Sequence, residues 1–295
     1  MNASFGIDHP LIAVHDIQSL RDRLMAMGFT MTAIGKHPWG TSTSLAMFNG
    51  CLIEIMGIYD ESLIDEVPAG DFHFGRHVHE HLMQREGVAL SALHSTDSQA
   101  DAERAQAAGF ELAGHLEFGR DVTLPDGPQG RTRTTLALLP DTRWPRLSFF
   151  LCQQHRPELV YVPEWLVHPN TVHGICGITI LAQRDCQAAL LEKFSALYGD
   201  GKSIDGGYQL ETANGRIRLM DRDSIEADLG ALPTQILADV QPCIVGMDFR
   251  YADVTLLRHY LNSSGIAYDA QDDVFSLRQA QATGNTFMRF HQGSS

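Results

Sequence analysis

The chain has 295 residues, of which 44% are hydrophobic and 20% charged. That mixture can bury a core for two ordinary domains or one large one, and it excludes disorder as the main state. Lys and Arg number 22 against 36 Asp and Glu, a formal net charge of −14; with no basic run, such a surface disfavours nucleic acid and anionic lipid as partners.

No apolar stretch reaches the roughly 18 residues of a membrane span. The start, Met1-Asn2-Ala3-Ser4-Phe5, has neither the basic nor the apolar segment of a secretory signal. Five cysteines, at positions 51, 152, 176, 186 and 243, form no C-x-x-C pair. A disulfide framework or thiolate zinc site is therefore not expected, and a cytoplasmic location is.

In chain order, Leu11 to Val14 is a β-prone run, and Asp16 caps a helix with apolar residues at 17, 20, 24 and 27. Gly28 stops that helix, and Phe29-Thr30-Met31 reads as strand. The pattern recurs three times. Ala89 to Leu93 precedes a helix at 97–108, Ile178 to Leu181 one at 184–197, and Met247 to Tyr251 one at 254–262. A meander follows each helix, with Asp126-Gly127 and Asn214-Gly215 as turn signals. The closing strands are Leu52 to Met56, Phe149 to Cys152, Ile217 to Met220 and Thr286 to Phe290. A further helix is expected around 75–84, where His73, His77, His79 and His81 read as solvated or capping residues.

These signals give four βαβββ modules in two pairs, an α+β fold in which each pair curls into a cup able to hold a ligand. Pro157, Pro163 and Pro169 mark the break, so the expected domains are 1–160 and 171–295. Phosphate-loop, dinucleotide, nucleophile-elbow and H-E-x-x-H motifs are absent from the sequence.

The residues Gly6-Ile7-Asp8-His9-Pro10-Leu11, Met27-Gly28-Phe29, His37-Pro38-Trp39-Gly40-Thr41 and Leu52-Ile53-Glu54-Ile55 carry a resemblance. So do Leu124-Pro125-Asp126-Gly127, Phe149 to Glu158, Trp165 and His168-Pro169-Asn170. Over about residues 6–182 the chain resembles the glyoxalase-like domain proteins of the vicinal-oxygen-chelate superfamily. That superfamily has the glyoxalase, bleomycin-resistance and dihydroxybiphenyl-dioxygenase fold.

The resemblance implies a divalent metal (Zn, Ni, Mn, Co or Fe(II)) held by the first and last strands of paired units. His9 and Glu54 occupy those places in the first unit, and a carboxylate within the apolar run Cys51 to Met56 is costly unless paired or metal-bound. In the second unit Val88 falls opposite His9, with Ser91 nearby, and the last strand offers Gln153 or His155. His155 is the candidate third ligand, Gln153 a substrate contact, His37 a general base, Trp39 a stacking surface and Arg120 a carboxylate clamp. In the C-terminal pair the matching places look like Gly177, Gly246 and Arg289, so the ligand triad of the extradiol dioxygenases is missing. That pair reads as a structural or homodimer-forming half. His168 and His173 lie just before it.

The expected function is a metal-dependent lyase, isomerase or oxygenase acting on a small oxygen-rich molecule in the N-terminal cup. The alternative is a metal-free protein of the bleomycin-resistance kind that binds or sequesters a small molecule.

Overall fold

The computed structural model describes residues 5–293; positions 1–4, on which part of the reading of the start rests, lie outside the described residues. The first unit comprises β1 (Ile7–Ala13), α1 (Ile17–Ala26), β2 (Gly35–Lys36), β3 (Thr41–Phe48) and β4 (Cys51–Ile58), and α2 (Phe74–Gln84) follows it. The second comprises β5 (Gly87–Ser95), α3 (Ser98–Ala107), β6 (Gly114–Phe118), the hairpin β7 (Asp121–Thr123) and β8 (Gln129–Arg131), β9 (Thr134–Leu139) and β10 (Phe149–Gln154). The third comprises β11 (Val172–Leu181), α4 (Arg184–Tyr198), β12 (Lys202–Ile204), β13 (Gly207–Glu211) and β14 (Arg216–Met220), and α5 (Arg222–Asp228) and α6 (Thr234–Leu237) follow it. The fourth comprises β15 (Cys243–Tyr251), α7 (Val254–Ser264), β16 (Tyr268–Gln271), β17 (Val274–Leu277) and β18 (Phe287–Gln292).

The strands form two curled eight-stranded sheets, β2-β3-β4-β1-β5-β10-β9-β6 and β12-β13-β14-β11-β15-β18-β17-β16. The four βαβββ modules and the α+β class are therefore present as read. In each sheet the first strands of two units lie antiparallel at the centre, and each has its own last strand beside it in parallel.

Local chemistry sets the repeat. Asp16, Asp97 and Asp253 each accept backbone N–H groups at the starts of their helices, the cap that a short side-chain acceptor provides. The helices then bury Leu20 and Leu24, Ala102 and Ala105, or Leu257 and Leu261 against the outer faces of the sheets. One apolar core runs through the outer faces of both halves. Asn214 ties them further, bonding both the N–H and the C=O of Ile7 at 2.8 and 2.7 Å.

The two inner faces are filled differently. Over the first cup α2 lays Phe74, Val78 and Leu82 against Leu11, Met56 and Leu90. Into the second, α5, α6 and the segment after α5 push Ile225, Leu229, Leu232 and Ile236 against Leu181, Met220 and Phe287. The α2 face also changes the reading of the histidines. His81 is buried and His77 half-buried rather than solvated, and His77 Nε2 lies 3.1 Å from the carbonyl of Ala89. Burial, then the charge of Arg85, holds the His81 imidazole well below its ordinary pKa.

Residues 29–34 form no strand. Thr32 still bonds Leu45 through both its backbone and its hydroxyl, so side-chain bonds replace a ladder there. His168 and His173 have structural positions. His168 accepts from the Thr30 N–H and faces the Met47 carbonyl, and His173 Nε2 lies 3.4 Å from the carbonyl of Gly293.

Gly75 lets α2 approach the loop that carries Trp39. A Cβ there would sit 2.1 Å from the Trp39 carbonyl oxygen and 2.8 Å from Ile64 Cα. Gly75→Ala, which in an open helix would stabilise, is expected instead to cost about 2 kcal/mol through overpacking. Thermal melting checks this; an unchanged or raised Tm contradicts it.

Candidate functional site

Alternation along the strands decides which side chains reach the first cup. In β4, Ile53 and Ile55 join the outer core while Leu52, Glu54 and Met56 face inward. Leu11 of β1 pairs with Glu54 of β4, and His9 lies on the inner side two residues earlier. The result is a buried chain of polar groups. His9 Nδ1 is 2.6 Å from Asp8 Oδ1, His9 Nε2 is 3.0 Å from Glu54 Oε2, and the Thr43 hydroxyl donates to Glu54 Oε1 at 2.5 Å.

Both titrating members are strongly shifted. Burial alone would lower the His9 pKa, but the hydrogen bonds and charges of Asp8 and Glu54 outweigh it and raise the pKa to about 9. Burial would raise Glu54, yet the bond to His9, its charge and smaller contributions from His37 and Thr43 bring it down to about 2. At neutral pH His9 is an imidazolium that donates from both nitrogens between two carboxylates.

The second unit does not repeat this pair. Counting seven residues back from the capping aspartates Asp16 and Asp97 gives His9 and Leu90; five back gives Leu11 and Ala92. Ala92 pairs with Phe150 as Leu11 pairs with Glu54. Leu90 and Phe150 therefore stand where the first unit has its imidazole and carboxylate. A bulge between Leu11 and Ile12 sends Val88, expected opposite His9, into the outer core.

The same alternation in β10 turns Phe150, Cys152 and Gln154 inward. Gln153 and His155 are absent from the cavity wall. Gln153 accepts from the N–H of Ser98 at 2.9 Å and so caps α3, and His155 Nε2 is 2.7 Å from the Thr135 hydroxyl. The two expected contacts of β10 thus sit one residue out of phase, since each step along a strand reverses the face.

The opposite wall is aromatic and basic. His37 and Trp39 stack with centroids 4.6 Å apart, and Phe118 meets both edge-on. Arg120, from the segment between β6 and β7, contacts His37 Nε2. A guanidinium can only donate, so Nε2 is the acceptor and the Nδ1–H of His37 donates to Thr41 at 2.8 Å. Burial and the Arg120 charge lower the His37 pKa to about 3, so the ring is neutral. Trp39 is 1% exposed, and its indole N–H is buried without a partner among the described residues.

Between these walls lies a cavity of about 550 Å³, within the range of small-molecule sites. His9, His37, Trp39, Glu54 and Arg120 all line it, and so do Gln154 and Trp165, which the sequence reading did not place there. Asp8 and Thr43 were also missed as partners of the polar chain. Asp8 had a legible signal in its position beside His9; Thr43, which pairs with Met56, had one only as a diagonal neighbour of Glu54 across the β3–β4 hairpin.

A metal-bound imidazole usually has a carboxylate behind its other nitrogen, as His9 has Asp8. The donor set nevertheless stops at two. Leu90 and Phe150 occupy the mates, His37 Nε2 is engaged by Arg120, and no three His, Cys, Asp or Glu side chains converge among the described residues. A catalytic zinc commonly takes three protein ligands, so these residues do not fit such a centre.

The C-terminal pair departs further. The N–H of Val14 bonds the carbonyl of Met56 as that of Ala182 bonds Met220, which aligns units one and three. His9 then matches Gly177, and Glu54 matches Arg218 through the pairing of Thr179 with Arg218. Counting from Asp253, unit four has Gly246 and Arg289 at these places.

Comparison with known proteins agrees with this architecture. No curated protein matches the sequence. Among solved structures, a hypothetical protein from Staphylococcus aureus superposes with a TM-score of 0.68 at 12% identity, over 97% of this chain and 99% of that one. A triple mutant of 4-hydroxymandelate synthase from Streptomyces coelicolor gives 0.60 at 13% identity, over 99% and 93%. A fusion of a xylose isomerase-like TIM barrel with a 4-hydroxyphenylpyruvate dioxygenase gives 0.55 at 14%, over all of this chain and 50% of that one. At such identities these likenesses speak for the fold. The sequence itself matches the glyoxalase-like domain family over residues 7–197, and the chain belongs to that family, within the vicinal-oxygen-chelate superfamily.

Proposed function

We propose that the protein binds a small, largely apolar organic anion in the N-terminal cup without a resident metal. The observation that carries this reading is the composition of the wall at Arg120. The Arg120 guanidinium, bonded to neutral His37, and a Trp39 N–H with no partner among the described residues line one cavity, whose wall also carries Met, Leu and Phe side chains, several threonines, Gln154 and the acids Glu54 and Asp121. Arg120 supplies the charge for a carboxylate or enolate oxygen, the indole N–H a second donor, and the rings a stacking surface.

The acid–base groups support binding more than turnover. An efficient general base at neutral pH has a pKa near 7, whereas Glu54 stands at about 2, His37 at about 3 and His9 at about 9. The Asp8–His9–Glu54 chain then acts as a fixed polar floor that orients an oxygen-bearing end of the ligand.

Aromatic carboxylates and their matched primary amides test this by calorimetry and thermal shift. Carboxylates are expected to bind better than amides. Arg120→Ala should weaken them about 10- to 100-fold, the loss of one charge-assisted hydrogen bond. Glu54→Gln should leave their affinity within a few-fold. A purified protein with one divalent metal per chain, lost in Glu54→Gln, overturns the reading, as does equal affinity for carboxylate and amide.

A further inference from the structure

The C-terminal cup has its own chemistry, opposite in sign to that of the first. The two places equivalent to Glu54 carry Arg218 and Arg289, each with 8% of its surface exposed, and Arg216 lies two residues before Arg218 on β14. They gather around two carboxylates. Arg289 Nε is 2.9 Å and Arg216 Nη2 3.5 Å from Asp248, while Arg218 Nη1 and Arg289 Nη1 lie 2.7 and 3.0 Å from Asp228. Arg218 also donates to the Thr179 hydroxyl at 2.7 Å, and His291 Nε2 stands 3.5 Å from Asp248.

Three permanent cations thus meet Asp228 and Asp248, and a third carboxylate, Asp205, lines the neighbouring cavity. Donors are in excess. The Nε–H groups of Arg216 and Arg218 are buried with no hydrogen-bond partner among the described residues, and so is His291 Nε2. Buried guanidinium donors are costly to leave unmade.

Gly177, where the first unit has His9, lets Asp248 and Arg216 close in on the strand: an added Cβ would crowd Asp248 Oδ2 at 3.0 Å and Arg216 Cγ at 3.2 Å. At Gly246 the matching space is taken by Leu229 of the apolar plug. The plug therefore fills one half of the cup. The arginine half opens into a separate cavity of about 540 Å³, lined also by Gln209 and Ser224.

From this excess of buried donors beside an open cavity, we infer that the C-terminal cup is a second ligand site, which takes the phosphate or carboxylate group of a small molecule. The anion takes up the unbonded donors of Arg216 and Arg218, as bidentate guanidinium–oxyanion pairs do, on the side of the cavity away from Asp205. Arg289 stays committed to Asp228 and Asp248 and holds the floor rigid.

Calorimetric titration of inorganic phosphate and of malonate into the full chain, at low ionic strength and neutral pH, tests the assignment; matched ionic strengths of chloride control for general salt effects. One saturable site is expected for at least one anion. It should weaken tenfold or more in Arg216→Ala, weaken less in Arg216→Lys, and persist in Arg120→Ala. Arg216 is partly exposed, so both of its variants should fold, which circular dichroism verifies. If phosphate alone binds, the site reads free or esterified phosphate; if malonate alone binds, it reads carboxylates; either supports the inference. No saturable binding of either anion by the wild-type chain overturns it. So does binding that survives Arg216→Ala but is lost in Arg120→Ala, which would place the anion in the N-terminal cup.

Discussion

Replacing Asp248 with alanine is expected to destabilise the protein by about 3–5 kcal/mol, the range for removing one partner of a buried ion pair. Asp248 is 2% exposed and faces Arg289, Arg216, Arg218 and His291. Burial would raise its carboxyl pKa, but His291, 3.5 Å away, and the charges of Arg289 and Arg218 hold it far below the ordinary carboxylate range. Without it, Asp228 alone faces the guanidinium groups, two of them on buried strand positions that cannot swing into water. Urea denaturation should show a lower midpoint with an unchanged slope, the sign of lost native stability rather than a changed unfolded state. Any anion that binds the native cup should restore part of the loss by mass action. A loss below about 1 kcal/mol, the scale of an exposed pair, would mean that the arginines reach solvent and that the cluster is not a buried network.

The repeat was legible because its signals are local. A capping aspartate, an apolar helical stripe and a closing apolar strand recur, and each depends on neighbours within a few residues. Glu54 was legible because a carboxylate stands out within an apolar strand, whereas His9 was joined to it only through the family resemblance. The faces of β5 and β10 were not legible. A bulge after Leu11 shifts Val88 outward and Leu90 inward, and one residue of phase separates Gln154 from Gln153 and His155. No composition records a bulge. The arginine cluster was hidden for a different reason. Arg218 and Arg289 each look like an ordinary strand residue, and only the pairing of β11 with β14 and of β15 with β18 brings them onto one aspartate.

Glu54→Ala is the second substitution with a large expected effect, and its pH dependence says what the His9–Glu54 contact is. His9 titrates near 6.5 when unfolded and near 9 when folded. Its stabilisation is fully present below about pH 6.5 and is lost as the pH rises through about 9. Glu54 titrates near 4.5 unfolded and near 2 folded, so its stabilisation is present above about pH 4.5 and is lost as the pH falls through about 2. The two shifts overlap in the His9–Glu54 contact and are not added; Asp8 supplies more of the His9 shift than Glu54 does and stays in place in the variant, so the contact accounts for only part of that shift. The stability gap between wild type and Glu54→Ala should therefore be widest between about pH 4.5 and 6.5 and close progressively toward about pH 9, at up to about 1.4 kcal/mol per pH unit. Urea midpoints at pH 5.5 and 9.5 suffice to measure it. A gap independent of pH would show that His9 is not an imidazolium in the folded protein. A gap that instead vanishes when the wild type is treated with chelator would show that a cation, not a proton, joins the two residues, and would return the first cup to metal chemistry.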